Sequence, residues 1–299
     1  LFIYLFIGTS AKLEKILFFQ SIIIFLVSLD VFYQYFDQNN LDILGFSGNP
    51  EIQRLSGPFG DELIVGAFVT YLSIPIYSFV INKFRTFDNL TKSYSVLFIF
   101  ISFFSVLLSG ERMNTIVISG SLIILFLLNF SLKRSFFLVG LLFISLLLSY
   151  TNIEEFKIRT DSFFQEISYL EKNNHVRLIS SAYNVWKDNK LSGVGNKNFR
   201  IVCDESKLDS LTKLNQLCSS HPHNLYLELL SETGLIGAIL FFMFIYFLFF
   251  ENLNKLNFKK ILNEPILVGA IIVIFSYIWP IRSSGSIFTT FNATFFWIN

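Results

Sequence analysis

Seven runs of this chain are too apolar and too long to fold in water. A helix needs roughly 20 apolar residues to cross about 30 Å of hydrocarbon. Segments 16–36, 63–81, 93–109, 114–131, 135–150, 225–250 and 265–281 meet that requirement or come close to it. Lipid cannot hydrogen-bond a peptide group, so each run must satisfy its backbone internally as a helix. The expected fold class is therefore an all-α polytopic membrane protein, a multi-span transmembrane helix bundle. Composition agrees. The chain is 53% hydrophobic with 38 Phe, and 15% of its residues are charged, where a soluble domain carries about 25%. Net charge is +1 and no block of Lys or Arg occurs, which excludes a nucleic-acid surface. The chain opens on Leu1 inside an apolar stretch, 1–8. That stretch reads as the tail of a span, with earlier helices removed. A last short aromatic stretch, 287–298, reads as an incomplete span.

Basic residues in the short loops give the orientation. One side collects Lys12, Lys15, Lys83, Arg85, Lys92, Lys133, Arg134, Lys255, Lys259 and Lys260. The short loops on the other side hold Arg54, Arg112 and Arg282, one each. The first side is therefore cytoplasmic. The polar segment 151–222 faces outward and divides helices 1–150 from helices 223–299.

That outer segment contains amphipathic helices. Asn174 can cap a helix in which Val176, Ile179, Tyr183 and Trp186 recur at helical spacing. Such a helix can lie along a membrane surface. Leu191-Ser192-Gly193-Val194-Gly195-Asn196 reads as a turn, and Leu208, Leu211, Leu214 and Leu217 suggest a second short helix. At roughly 70 residues the segment is small for an independent domain, and it reads as a lid on the bundle. The chain's two cysteines, Cys203 and Cys218, both lie here. Outside the cytoplasm such a pair favours a disulfide. Zinc held by Cys203, Cys218, His221 and His223 is the alternative, but the spacing lacks the tight pairs of structural sites. No metal or cofactor is expected.

The outward arginines are candidate anion ligands, because a guanidinium matches phosphate oxygens two at a time. Arg54 and Arg112 stand on the side where positive charge is disfavoured, as does Arg282. Arg159, Arg177 and Arg200 add candidates in the long segment, with Arg177 favoured by its place on the amphipathic helix. The simpler reading is snorkelling at helix ends. His223 sits where the outer segment enters a span, and Asn224 is placed to cap that helix. The positive end of the helix dipole disfavours an imidazolium there. A neutral imidazole can take a proton from a hydroxyl. Glu228 and Glu232 lie four apart on one face of the helix. Either can orient the imidazole or an acceptor sugar, or both can simply face water. Gly234 with Ala238, and Gly237 beside them, suggest close helix packing.

His223-Asn224, nine residues, then Gly234-Leu235-Ile236-Gly237 resembles the signature of the O-antigen ligase and O-antigen polymerase superfamily of bacterial envelope enzymes. Arg54-Leu55-Ser56-Gly57-Pro58-Phe59, Ser109-Gly110-Glu111-Arg112 and Gly193-Val194-Gly195 resemble further family segments, in order from Arg54 onward. The resemblance implies a metal-independent glycosyltransferase of the inner membrane whose active site faces the periplasm. The large outer segment is then a periplasmic loop. The donor would be a glycan on undecaprenyl diphosphate. The acceptor would be lipid A-core for a ligase, or a second lipid-linked glycan for a polymerase. Carried over by position, Arg54 and Arg112 hold the diphosphate, with Arg177 as helper, and His223 is the base. Asn224 and Glu232 belong to the substrate-binding set. The His-Asn-to-Gly spacing is the ligase's. The family has about twelve spans, more than the seven counted here.

A carrier or flippase is the competing class. It keeps ionisable residues inside its spans. Here Asp30 is the exception among spans otherwise almost free of charge, and charged groups gather at the outer face.

Overall fold

The structure, a computed structural model, describes residues 10–37, 41–45, 54–168, 173–203, 217–255, 261–280, 282–283 and 285–298. The apolar stretch 1–8, most of the suggested second helix (Leu208, Leu211 and Leu214), and Lys259 and Lys260 lie outside the described residues. What is described is helical: α1 (Ser10–Phe36), α2 (Val65–Lys83), α3 (Asn89–Leu108), α4 (Arg112–Asn129), α5 (Leu132–Asn152), α6 (Glu154–Ser168), α7 (Asn174–Asp188), α8 (Phe199–Val202), α9 (Leu225–Lys255), α10 (Pro265–Ile278) and α11 (Thr290–Ile298). No strand occurs among the described residues.

Among the described residues six helices are long and apolar enough to cross a membrane: Lys12–Phe36, Val65–Thr86, Asn89–Leu108, Arg112–Asn129, Leu132–Asn152 and Leu225–Phe247. The protein is an all-α polytopic membrane protein. The seventh expected span is shorter than its apolar run. α10 stops at Ile278, ahead of Trp279-Pro280, and has 14 residues. Proline disfavours helical geometry in the residue before it, so hydrophobicity runs on past the helix end.

The chain divides into two compact units. One is Leu1–Ser162 with Leu262–Val273. Its centre is α2, whose most apolar stretch is 72% buried, against 11% for α5. α2 packs on α1, α3 and α4. In lipid, apolar contact alone gives no preference for protein over solvent, so small and polar groups hold helices together. Tyr77 Oη and Ser102 Oγ meet at 2.7 Å, and Ser105 Oγ donates to Ser28 Oγ at 3.1 Å. Gln20 donates to the Leu72 carbonyl at 2.8 Å. Each such bond contributes about 0.6 kcal/mol. α2 runs through Pro75 as one helix. Gly269 lies on it: a Cβ there would stand 2.5 Å from Pro75 Cα.

The other unit is Phe163–Ile261 with Ile274–Ile298. Here α7 packs on α9. The buried face of α7 is Leu178, Ala182 and Val185, joined by Phe199, Cys203, Val194, Cys218 and Leu227. The stripe read from spacing is a different row of the helix. Val176, Ile179 and Tyr183 are exposed. α7 carries two apolar rows, and the row with the smaller residues faces the protein, where α9 approaches closely. Its cap is also one residue earlier than expected: the Asn173 side chain accepts from His175 N at 2.7 Å.

Candidate functional site

In the first unit the site residues gather at the turn joining α3 to α4. Gly110 turns the chain with φ +71°, and Glu111 precedes the first residue of α4. The Glu111 carboxylate accepts from the Gly66 N–H at 2.9 Å, at the start of α2, where the helix dipole favours negative charge. It also accepts from the Asn114 amide. Gly66 is required by this approach, since a Cβ would stand 2.7 Å from Ser109 Oγ and 2.9 Å from Glu111. Arg54 pairs with Glu111 at 3.4 Å and donates to the Leu63 carbonyl at 2.6 Å.

Two further guanidiniums reach the same turn. Arg112 donates to Ser162 Oγ at 3.3 Å, and Arg159 Nε donates to the Gly110 carbonyl at 3.3 Å. The structure thus brings Arg54, Arg112 and Arg159 around residues 109–112, with Glu111 among them. Burial pushes the Glu111 carboxyl above its ordinary range, while Arg54, the Gly66 N–H and Asn114 pull it back. Sequence spacing identified Arg54 and Arg112. It ranked Arg159 behind Arg177, because the turn-back from α5 into α6 has no signature in spacing.

In the second unit the head of α9 carries the other residues. Asn224 caps it, its side-chain oxygen accepting from Tyr226 N at 3.1 Å and Leu227 N at 3.2 Å. The Asn224 amide donates to the Pro280 carbonyl at 2.9 Å. This side chain holds the head of α9. His223, just before it, is half-buried with φ +54°. The rings of His175 and His221 lie beside it. Arg177 is in the first turn of α7, half-buried, with Nη1 3.4 Å from the Asn174 side-chain oxygen.

Both glutamates turn inward, against the reading in which they face water. Glu232 is 1% exposed, and its carboxylate accepts from the Lys197 N–H at 2.7 Å. Glu228 is equally buried and accepts from the Ile287 N–H at 3.1 Å. A carboxylate accepts backbone N–H groups well and so can fasten a loop. Glu232 therefore holds the 193–198 turn, and Glu228 holds the segment before α11.

Gly234 departs from the packing expected of it. The close approach is made by a turn and not by a helix. α9 is broken at Gly234, with φ +66° and ψ −170°. Val194 N and Gly195 N donate to the Ser231 and Glu232 carbonyls at 2.9 and 2.8 Å. Leu235 N and Ile236 N donate to the Lys190 and Leu191 carbonyls at 2.9 and 3.2 Å. The atoms nearest to a Cβ on Gly237 belong to Thr233. Cys203 and Cys218 are joined as a disulfide with Cα atoms 5.4 Å apart. Leu217 N donates to Ser181 Oγ at 3.0 Å, so the return toward α9 is fastened to α7. Arg282 is buried, donates to the Ser276 carbonyl at 3.0 Å and lies 4.5 Å over the Tyr277 ring. Among the described residues no group of three or more His, Cys, Asp or Glu is arranged to hold a metal ion.

No curated protein matches the chain. Residues 97–242 match the family model described as O-antigen ligase. The match spans Arg112, Arg159, Arg177, His223, Glu228, Glu232 and Gly234, and Arg54 precedes it. The match, over just under half of the chain, supports a likeness to the O-antigen ligase and polymerase superfamily.

Proposed function

We propose that this protein is an integral membrane glycosyltransferase of the inner membrane, acting at its periplasmic face. It moves a glycan from undecaprenyl diphosphate to an acceptor hydroxyl on lipid A-core. The observation that carries this reading is the gathering of Arg54, Arg112 and Arg159 around one turn, with Glu111 as the carboxylate among them. Guanidiniums fixed around one turn match the oxygens of a diphosphate and stabilise the charge it acquires on leaving. Arg177 is the helper at the head of α7. His223 takes the proton of the acceptor hydroxyl as that oxygen bonds to the anomeric carbon. The bond from that carbon to the diphosphate oxygen breaks, and the lipid diphosphate departs with the electron pair. In this reading the stabilising charge comes from arginine and no metal is used.

Asn224 and Glu232 support the site from behind, through the cap of α9 and the docked turn. The experiment offers purified protein a lipid-linked glycan with two acceptors, lipid A-core and a second lipid-linked glycan. Transfer to lipid A-core supports the ligase reading. Transfer to the lipid-linked glycan assigns a polymerase with the same donor chemistry. Transfer to neither, from a protein that binds the donor, overturns both.

A further inference from the structure

The chain has three histidines, and they meet. The ring of His221 lies 4.0 Å from that of His223, centroid to centroid, with 49° between planes. His175 lies edge-on to His223 at 6.1 Å and 89°.

Several features of the backbone produce this meeting. The Asn173 cap places His175 in the first turn of α7. The Cys203–Cys218 bond and the Leu217–Ser181 hydrogen bond bring residues 217–223 back to α7. Pro222 fixes one dihedral between the other two histidines. His223 then adopts φ +54°, which folds residue 223 back on residue 221. A side-chain residue persists in that left-handed region only where its surroundings enforce it, and such residues cluster at functional sites. Ser220 Oγ lies 3.0 Å from His221 Nδ1 and orients that ring in turn.

We propose that His221 and His175 are positioning residues for His223. His221 lies tilted against the imidazole and His175 abuts it edge-on. Together they hold its nitrogen on the acceptor hydroxyl. The inference rests on the reading of His223 as the base. Neither neighbour touches substrate or carries the transferred proton. Their effect is orientation, and misplacing a catalytic group by about 1 Å costs on the order of 100-fold in rate.

The test uses the full chain reconstituted in lipid, an undecaprenyl-diphosphate-linked glycan as donor, and whichever acceptor the wild type uses. His221→Ala should lower kcat by roughly 10- to 100-fold and leave KM within about threefold, as expected when ground-state binding is untouched. His221→Phe keeps a flat ring without nitrogen and should recover most of the loss. His175→Ala should show a smaller loss of the same kind. Independently of activity, the His223 ring proton should shift in the NMR spectrum of His221→Ala and stay near its wild-type position in His221→Phe.

Wild-type kcat and an unmoved His223 resonance in His221→Ala would overturn the inference. So would a His221→Phe as impaired as His221→Ala, which would assign proton chemistry to His221. His223→Ala separates the two readings. If it is inactive while His221→Ala is fully active, positioning fails and the base stands. If His223→Ala is itself active, the base reading fails.

Discussion

Gly193 and Gly234 approach so closely that neither has room for a side chain. A Cβ on Gly193 would stand 2.4 Å from the Glu232 carbonyl carbon, and one on Gly234 would stand 2.2 Å from the Leu191 carbonyl oxygen. Both have positive φ. Strain in the left-handed region and overpacking each cost about 1–3 kcal/mol. Gly193→Ala and Gly234→Ala should each destabilise the second unit by about 2–4 kcal/mol. They should also raise amide exchange at Leu235 and Ile236, whose N–H groups donate across the break. Gly120→Ala and Gly140→Ala, with nothing within 4 Å of the added carbon, serve as controls and should be neutral or slightly stabilising.

Removing Arg54 should have two effects that can be separated. Arg54→Ala leaves the buried Glu111 carboxylate without its ion pair, a loss of about 3 kcal/mol or more for a buried partner. It should also weaken donor binding. Arg54→Ala with Glu111→Gln should recover most of the thermal stability but none of the donor affinity. If the double variant binds donor like wild type, Arg54 does not contact the diphosphate. Arg54→Lys should rescue affinity only in part, for lack of the planar fork.

Glu111 also predicts a pH dependence. Its carboxyl is held above the ordinary carboxylate value of 4.5 by burial, so folding favours its protonated form. Its contribution to stability is fully present below the unfolded pKa and is lost as pH rises through the raised folded value. Protonation also releases Arg54 from its ion pair. Donor affinity should therefore increase as pH falls through that window, and Glu111→Gln should flatten the profile. A wild-type profile unchanged by Glu111→Gln removes this group as the cause.

The disulfide should matter most near the head of α9. It joins cysteines 15 apart in sequence, and closing a loop of that length contributes about 3 kcal/mol. Cys203→Ser with Cys218→Ser should lower the melting temperature and raise amide exchange at 217–224. An unchanged exchange pattern there would mean that α7 holds the segment without the cross-link.

On α7 the two apolar rows give opposite outcomes. Leu178→Ala, at 2% exposure, should cost about 2–4 kcal/mol. Ile179→Ser, at 41% exposure, should change stability by no more than about 0.5 kcal/mol. Equal losses in thermal denaturation would show that both rows are covered.

The contrast between these rows marks the limit of what spacing reveals. Six of the seven apolar runs are spanning helices, because lipid leaves the backbone no alternative. Periodicity found α7 and its exposed row of Val176, Ile179 and Tyr183, but not the row that meets the protein, since Ala182 counts for little in a hydrophobicity pattern. Arg54 and Arg112 stood out by charge on the disfavoured side. Arg159 joins them only through the turn-back of the chain after α5. The burial of Glu228 and Glu232 was hidden for a similar reason. Each accepts a backbone N–H contributed from a distant segment, and backbone donors carry no sequence label. The three histidines meet because a proline, a left-handed residue and a disulfide act together.

The most direct measurement is a single-turnover experiment with reconstituted protein, saturating undecaprenyl-diphosphate-linked glycan and lipid A-core. Wild type should release one free lipid diphosphate for each glycan transferred. His223→Ala should bind the donor as tightly and yet transfer at least about 100-fold more slowly. Turnover by His223→Ala within a few-fold of wild type would contradict the account.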